Sequence, residues 1–579
     1  MVPARAANVG RPGGGWWMAH WYQLADSEYG SGARGTVARL HHTMIPVVLF
    51  GVALAARLLV GALFDDPAYP DSYYYVAVAR ELATGNGFHI DYIWNFIDVG
   101  GRLPAEPALP IPSNGHWMPL AALVQVPFIW LLGPTALASA LPFWLVGALA
   151  APLAWLIAID AGLGRGVALT AGLLTAAPAA LTPFMAQPDN FGLYMTLGAG
   201  ALWLAGRAMS GSPPALVIAG LVAGLAMLAR NDGLLLGVGL ALAGLALLRG
   251  AGGTSRRTAV LSLAGCAAMF GLAVGPWLVR QLSVFGSVSP SAADGRVLWL
   301  TDYGQLWSIG EPPTLAGLLA GGLDPLLASR LEGVLATGTV LAVAPLAVVL
   351  VPFALLGAWR QLRNPRFMPF LAYALALLAT SALLFSVHVR FGMFMHSLVA
   401  LLPHTFVLVA IGIGRAVDWM ATRRPGWRAE TATPLFRGAA VAIALLAATL
   451  QTSATVGAWQ RSESPRRDLG SALAAIPYGE RLMSADPGAY HYLYGLPGVV
   501  TPNDPLPVIA SAARAYSVRW LVLERDGVVP ALAPVLRGDT RPGWLSAPLA
   551  TVPAAAGDAV PAAVLFAICL EPGDGRCTP

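Results

Sequence analysis

Apolar runs of roughly 16 to 27 residues, with few or no charges, recur between residues 44 and 459, and about 20 apolar residues cross a bilayer as a helix. The pattern predicts spans at 44–64, 135–159, 166–186, 190–206, 214–229, 233–248, 258–279, 333–359, 368–387, 391–414 and 438–459. Interior Pro and Gly do not argue against these spans, because membrane helices tolerate both. The pair 214–229 and 233–248 is short and is separated only by Arg230, Asn231 and Asp232, so this polar tip is expected to be drawn toward the bilayer surface. Beyond 460 the pattern changes to short strand-like runs alternating with helical ones, which predicts a small α/β domain over 460–579. Residues 1–43 carry Gly, Arg and the patch "GWWMAHWY" but neither the apolar core nor the small-residue site of a signal peptide, and are expected to form a cytoplasmic arm.

Positively charged residues in short loops stay on the cytoplasmic side. The loops 249–257 (Arg249, Arg256, Arg257), 360–367 (Arg360, Arg363, Arg366) and 415–437 (five Arg against Asp418 and Glu430) are therefore expected inside. The loop 65–134 holds seven acidic residues and only Arg80 and Arg102, and is expected outside. A further apolar segment, "HWMPLAALVQVPFIWLLG" at 116–133, would reverse every later loop if it crossed. Residues 117–133 are accordingly read as re-entrant or interfacial, the alternative being that 117–133 crosses and a weak span within 214–248 does not. Eleven spans then leave the N-terminus inside and the C-terminal domain outside.

Composition agrees with a polytopic α-helical membrane protein of about 11–13 transmembrane helices: 56% of residues are hydrophobic, 11% are charged and the mean hydropathy is +0.64. All 35 basic residues are arginine, scattered through short loops, and the net charge of +5 marks no continuous nucleic-acid-binding face. Three cysteines are too few for a metal framework, and no ligand cluster predicts a metal or other cofactor. Cys266 falls in a span; Cys569 and Cys577 flank a Pro-Gly-Asp-Gly turn, where either a disulfide or two thiols fit.

The loop 65–134 opens with "DDPAYPDSYYYVAVARELATGNGF". It predicts a helix with Asp71 or Ser72 as N-cap, a Gly-Asn-Gly stop, and one apolar face on the membrane surface. Capping needs one such residue and leaves the other acids unexplained. An outward-facing carboxylate at the lipid boundary is also placed to take a proton from an acceptor hydroxyl. Arg57, inside the first span, is expected to pair with Asp65 or Asp66 or to extend to the headgroups.

One N-terminal span, an outer loop with an early Asp, the pattern "Y…A..L..G.GF" and a following His/Pro-led apolar segment together resemble the GT-C class of membrane glycosyltransferases. The likeness is to the family 39 group, which includes protein O-mannosyltransferases and lipid A aminoarabinose transferases. It runs on through "MAQPDNFGLYMTLGAGALWLAGRA", "GLVAGLAMLARNDGLLL", "GPWLVRQLSVFGS" and "HVRFGMFMHSLVALLP", covering about residues 44 to 415 as an ordered series of short motifs. Ser72 and "HWMP" at 116–119 depart from the Asp-Glu and His-Pro-Pro patterns of many relatives.

The resemblance implies a GT-C fold and transfer of a sugar from a polyprenyl-phosphate donor to an acceptor hydroxyl at the outer face of the membrane. Asp71 matches the first-loop catalytic Asp, and Asp189 the second acidic residue, serving the acceptor or a metal unless it only caps the helix that follows. His116, Arg280 and Arg390, all expected at the outer boundary, are candidates for the donor phosphate, since arginine binds phosphate through a planar fork. The acceptor is a lipid, a protein or a polysaccharide, and the compartment a bacterial-type inner membrane. A transporter would concentrate ionisable residues within its spans, and a scaffold protein would leave the acidic loop without a role; these are the alternatives.

Overall fold

The computed structural model describes residues 33–289, 297–310, 312–389, 392–554 and 557–569. Among them, seven helical segments are long and apolar enough to cross a membrane: Met44–Gly61, Ala136–Asp160, Asn231–Leu248, Arg256–Phe285, Leu323–Val343, Phe394–Ala421 and Ala429–Asp468. The protein is a multi-pass membrane protein. Shorter apolar helices, including Arg165–Leu181, Pro213–Ala229 and Met368–Leu384, pack between them.

Several predicted elements differ in form; the run 166–186, for one, is the helix Arg165–Ala176 followed by two short 3-10 turns, Ala179–Leu181 and Phe184–Ala186. The run 333–359 is two helices, Leu323–Val343 and Val351–Gln361, interrupted where Ala347 and Val348 adopt positive φ. The second of these lies against the helix Leu402–Ala421 so closely that a Cβ on Gly357 would meet the Leu408 backbone, and one on Gly412 the Phe353 backbone. Residues 117–133 form two short helices, Leu120–Leu123 and Val126–Leu132, the second packed on Pro70–Ala83 with Trp130 donating to the Ala83 carbonyl at 2.9 Å. At 1.5 Å per residue neither piece is long enough to cross a bilayer.

Helix ends expected on one side of the membrane meet in space. Asp160, at the end of one span, pairs with Arg366 and lies 3.9 Å from Arg207. The other ends of the same bundle bring Asp189, Asn190 and His396 beside Asp71.

Arg57 does not pair with Asp65 or Asp66, nor does it extend outward. It is 2% exposed and donates to the carbonyl oxygens of Ala53 (2.8 Å), Gly147 (3.0 Å) and Ala176 (3.3 Å). Ala176 ends the helix Arg165–Ala176, whose terminal carbonyls lack intrahelical partners and carry the negative end of the helix dipole, while Gly147 lies at the kink between Ala136–Ala148 and Ala150–Asp160. The guanidinium thus ties the first span to one helix end and one helix kink at once.

Beyond the membrane helices lies a six-stranded sheet. With β1 His89–Ile90, β2 Tyr92–Ile93, β3 Ile111–Pro112, β4 Arg481–Ser484, β5 Gly498–Val500, β6 Val518–Glu524, β7 Ala550–Val552 and β8 Ala563–Ala567, its order is β2-β5-β4-β6-β8-β7. The first four are parallel; β8 and β7 run antiparallel. β2 belongs to the loop 65–134, so the first loop supplies an edge strand to a sheet otherwise built from the chain's last hundred residues. The helix Ala429–Asp468 runs unbroken from the membrane into this region, so the change of character at 460 falls inside a helix. Cys569 is disulfide-bonded, Cys266 is free and buried, and Cys577 lies outside the described residues.

At the end of that helix, buried Arg466 bonds Glu524 (3.1 and 3.2 Å) and Asp486 (3.0 Å), and Tyr490 adds a 2.8 Å bond to Glu524. Removing one partner of such a buried set leaves charge without compensation. Arg466→Met is expected to cost about 3–5 kcal/mol in thermal unfolding, against about 0–1 kcal/mol for Arg467→Met, whose partner Asp66 is reached at the surface. Equal losses for the two variants would contradict this account.

Candidate active site

Pro70 starts the helix Pro70–Ala83, so its missing N–H costs no hydrogen bond there. The N-cap is Tyr69, without a side-chain cap bond; neither Asp71 nor Ser72 caps the helix. Asp71 lies one residue inside the first turn, where a helix N-terminus favours negative charge. Nor does the helix rest on the membrane with one apolar face: Ser72 through Ala79 are all buried. Successive residues project about 100° apart around a helix, so the three tyrosines address three neighbours. Tyr73 meets Tyr492 of the sheet region, with ring centroids 5.5 Å apart. The Tyr74 hydroxyl accepts from the Asn114 N–H (2.6 Å), and the Tyr75 hydroxyl accepts from the Asn190 amide (3.0 Å). The helix is gripped on all sides, which fixes where Asp71 points.

Asp71 faces Asp189 and His396. His396 Nε2 is 3.9 Å from Asp71 Oδ2, and its Nδ1 is 3.8 Å from Asp189 Oδ2. The imidazole stacks on Phe191 at 4.1 Å, and Nδ1 lies 3.3 Å from Asn190 Oδ1. Asp189 is buried and accepts from the Tyr69 hydroxyl at 2.7 Å and from the Asn190 N–H. It does not cap the following helix, Phe191–Met209, whose N-cap is Asn190. Burial and the neighbouring Asp189 push the Asp71 carboxyl well above the ordinary carboxylate range. Burial also raises Asp189, although its bonds from Tyr69 and Asn190 oppose the shift.

The ligand atoms of Asp71, Asp189 and His396 all lie within 4.8 Å of one another, bringing two carboxylates and an imidazole within reach of one divalent ion. Sequence spacing gave no sign of such a group, because its members come from three distant stretches of chain.

Two cavities meet at Asp71 and His396. The first, of 310 Å³, is lined by polar residues including His116, Asn190, Arg230, Asn231 and Asp232, and by an apolar wall from Val297 to Leu306 and from Phe385 to Val389. The second, of 540 Å³, lies between Tyr69, Phe184 and the 451–459 stretch of Ala429–Asp468.

Of the residues expected at the donor phosphate, His116 lines the first cavity, stacked on Trp94 with centroids 6.0 Å apart. Burial lowers its pKa to about 4, so at neutral pH it is an uncharged hydrogen-bonding group rather than a cation. Arg280 does not line either cavity. Its guanidinium sits over Phe88, Trp277 and Phe285 at 5.0 to 5.2 Å and bonds the Phe88 carbonyl and Gln281. Arg390 lies outside the described residues.

Among the described residues, the cation lining the first cavity is Arg230, which the sequence marks only as part of a polar tip. It follows the last turn of Pro213–Ala229, with Nε 2.9 Å from Asp232 Oδ1 and its guanidinium 5.9 Å from the Tyr194 ring. Burial works against its charge, and Asp232, Tyr194, Tyr75 and Asp189 more than offset that. Arg-Asn-Asp between two unusually short apolar runs was the signal that could have found it, since such a tip has to be drawn inward. His396 offered none beyond lying near the start of a predicted span.

No family model matches the chain, and no curated protein matches it. Solved structures do. Crystal structures of ArnT from Cupriavidus metallidurans match with TM-scores of 0.53 in the apo state and 0.52 bound to undecaprenyl phosphate. Identities are 16% and 15%; the matches cover 91% and 95% of this chain and 98% and 100% of ArnT. The apo oligosaccharyltransferase of Archaeoglobus fulgidus matches at 13% identity and a TM-score of 0.49, over 83% of this chain and 69% of that one. With nearly all of both chains superposed in the ArnT matches, the protein has the GT-C glycosyltransferase fold.

Proposed function

We propose that the protein is a membrane glycosyltransferase that moves a sugar from a polyprenyl-phosphate donor to an acceptor hydroxyl, with Asp71 as general base. The observation that carries this reading is that Asp71 stands where two cavities meet, one of which contains a buried arginine. Arg230, with neutral His116 as a hydrogen-bonding partner, receives the donor phosphate, and the apolar wall beyond them receives the start of the polyprenyl chain. The undecaprenyl phosphate bound in ArnT, a protein of the same fold, is a ligand of this chemistry.

The acceptor oxygen attacks the anomeric carbon as its proton passes to an Asp71 carboxylate oxygen. The bond from that carbon to the phosphate oxygen breaks, its electron pair leaves with polyprenyl phosphate, and the configuration inverts. Arg230 stabilises the charge that develops on the phosphate. Asp189 keeps the proton on Asp71 to higher pH, and His396 stands 3.9 Å from the same carboxylate. Arg280, held among aromatic rings, supports the wall of the outer loop.

Detergent extracts given a panel of radiolabelled undecaprenyl-phosphate sugars are expected to release undecaprenyl phosphate from at least one of them in step with transfer of label. Turnover of none, with the protein folded, would overturn the reading.

The same reading places loops 249–257 and 360–367 in the cytoplasm, and 281–325, with the sheet domain, outside an inner membrane. Single cysteines introduced in the first two loops are expected to resist a membrane-impermeant thiol reagent in intact cells, while those in 281–325 and near Pro134 react. Labelling of 249–257 or 360–367 from outside would reverse the orientation.

A further inference from the structure

The turn after β5 reaches across to a wall of the first cavity. Asp504, 8% exposed, lies between β5 and the helix Leu506–Ala515. Its carboxylate accepts three bonds from one short stretch: from the Ser308 hydroxyl at 2.6 Å, the Ile309 N–H at 2.8 Å and the Gly310 N–H at 3.1 Å. A buried carboxylate needs donors on both oxygens, and this stretch supplies them. Successive backbone N–H groups form a concavity suited to an anion, and bonds to an ionised acceptor are about twice as strong as neutral ones. A Cβ on Gly310 would stand 2.7 Å from Asp504 Oδ1, so the close approach requires glycine. Beside it the Asn503 N–H donates to the Trp307 carbonyl at 3.2 Å.

The stretch held in this way carries the apolar wall. Leu300, Tyr303 and Leu306 line the first cavity, and the 3-10 turn Tyr303–Trp307 ends immediately before Ser308. At its start Asp302 accepts from the Gly304 N–H at 2.7 Å, and the Gln305 side chain accepts from the Thr301 N–H at 2.8 Å. The Ser386 hydroxyl donates to the Leu298 carbonyl at 2.9 Å, joining this wall to the one from Phe385 to Val389. Internal bonds thus give the stretch its shape, and Asp504 gives it its place. The strand beside β5 leads to the same cavity: β2 is followed by Trp94, which lines it and meets Trp307 with centroids 6.1 Å apart. β2 and β5 are parallel, so the lining is reached from their carboxyl ends, the edge at which open α/β sheets bind ligands. We propose that Asp504 is a positioning residue for the donor: by holding the turn 308–310 it makes Leu300, Tyr303 and Leu306 a fixed surface for the first isoprene units beside the phosphate. The proposal rests on the first cavity being the donor site. Asp504 touches no reacting group and acts only through the turn.

The test compares the full chain with Asp504→Asn in detergent, first by hydrogen exchange and then by binding of undecaprenyl phosphate. Asparagine keeps the volume but offers the three donors one acceptor oxygen and no charge. The amides of 301–310 are expected to exchange at least about tenfold faster while those of β4 and β6 are unchanged, and affinity for undecaprenyl phosphate to fall about tenfold. Asp539→Asn, which alters an exposed aspartate of the same region paired with Arg537, is expected to change neither quantity. If Asp504→Asn does not fold, Ser308 gives the comparison from the other side. Ser308→Ala removes one of the three bonds and should shift both quantities in the same direction, whereas Ser308→Thr keeps the hydroxyl and should restore them. Parental exchange at 301–310, parental affinity despite faster exchange there, or identical behaviour of the two Ser308 variants would each overturn the proposal. Faster exchange spread over β4 and β6 would make Asp504 a general support of the sheet and overturn it as well. A parent chain that binds no undecaprenyl phosphate would instead sink the donor reading, and the exchange comparison, which needs no ligand, keeps that failure distinct from a failure of Asp504 to hold the wall.

Discussion

Asp71→Asn is expected to insert and bind undecaprenyl phosphate like the parent protein while transferring sugar about 10²- to 10⁴-fold more slowly. The substitution keeps the shape of the side chain and removes its ability to take a proton. Since Asp71 makes no capping bond, no helix end is lost with it. Its carboxyl is held above the ordinary range by burial and by Asp189, so carrying a charge there costs the folded state energy, and the asparagine variant should be at least as stable as the parent at neutral pH. A slow and stable variant separates a catalytic role from a structural one. Near-parental turnover at matched amounts of folded protein would remove Asp71 from the mechanism.

The same shift sets the sign of the pH dependence. A general base works deprotonated, and a raised pKa keeps the proton on Asp71 to higher pH. The rate should therefore climb as pH rises through a midpoint well above that of an ordinary carboxylate, where an unperturbed aspartate would already give a plateau. A profile flat from pH 5 upward would mean that this group is not the base.

Arg230→Gln is expected to lower transfer by about 10²- to 10³-fold, the range for loss of one preorganised donor to developing charge, and to weaken binding of undecaprenyl phosphate as well. Asp232, 2.9 Å away, would lose its partner in that variant, so part of the effect could come from the stranded carboxylate. The double variant Arg230→Gln/Asp232→Asn removes that contribution: it should fold normally and still fail to hold the phosphate. Arg230→Lys keeps the charge without the planar fork and should fall between the two. Donor binding unchanged in the double variant would assign the phosphate to another group.

The parts of this architecture legible in sequence were those written locally. A run of apolar residues has to lie in lipid, and arginines in short loops are retained on one side; both act over tens of residues. Hence the membrane character and the strand-rich tail were predictable from pattern. Sequence offered Asp71 through its place in the acidic loop and through resemblance, which added Asp189; the structure sets the two side by side, and the sequence reading failed where tertiary structure overrides local preference. Pro70 moved the helix start so that Tyr69, not Asp71, became the N-cap. Burial of the three tyrosines depends on Tyr492 and Asn190, far away along the chain. Arg57 and Arg280 carry the same charge as Arg230 and sit in comparable apolar surroundings. They were absorbed by helix-end carbonyls and by aromatic rings, and only the assembled bundle decides which arginine faces a cavity.

The parallel pairing of β2 with β5 also governs when the loop 65–134 can be finished during biosynthesis. Tyr92 lies opposite Gly498, some 406 residues later (498 minus 92). At about 5–20 residues per second a ribosome needs roughly 20 to 80 s to deliver the partner strand. Throughout that interval the edge of β2 remains open and the helix bearing Asp71 lacks Tyr492 on its outer side. A nascent chain that has threaded most of its spans thus still has an unassembled candidate site. If the chain transfers sugar as proposed, the onset of that activity waits for docking of the last strands, and so for completion of the polypeptide rather than insertion of its membrane helices.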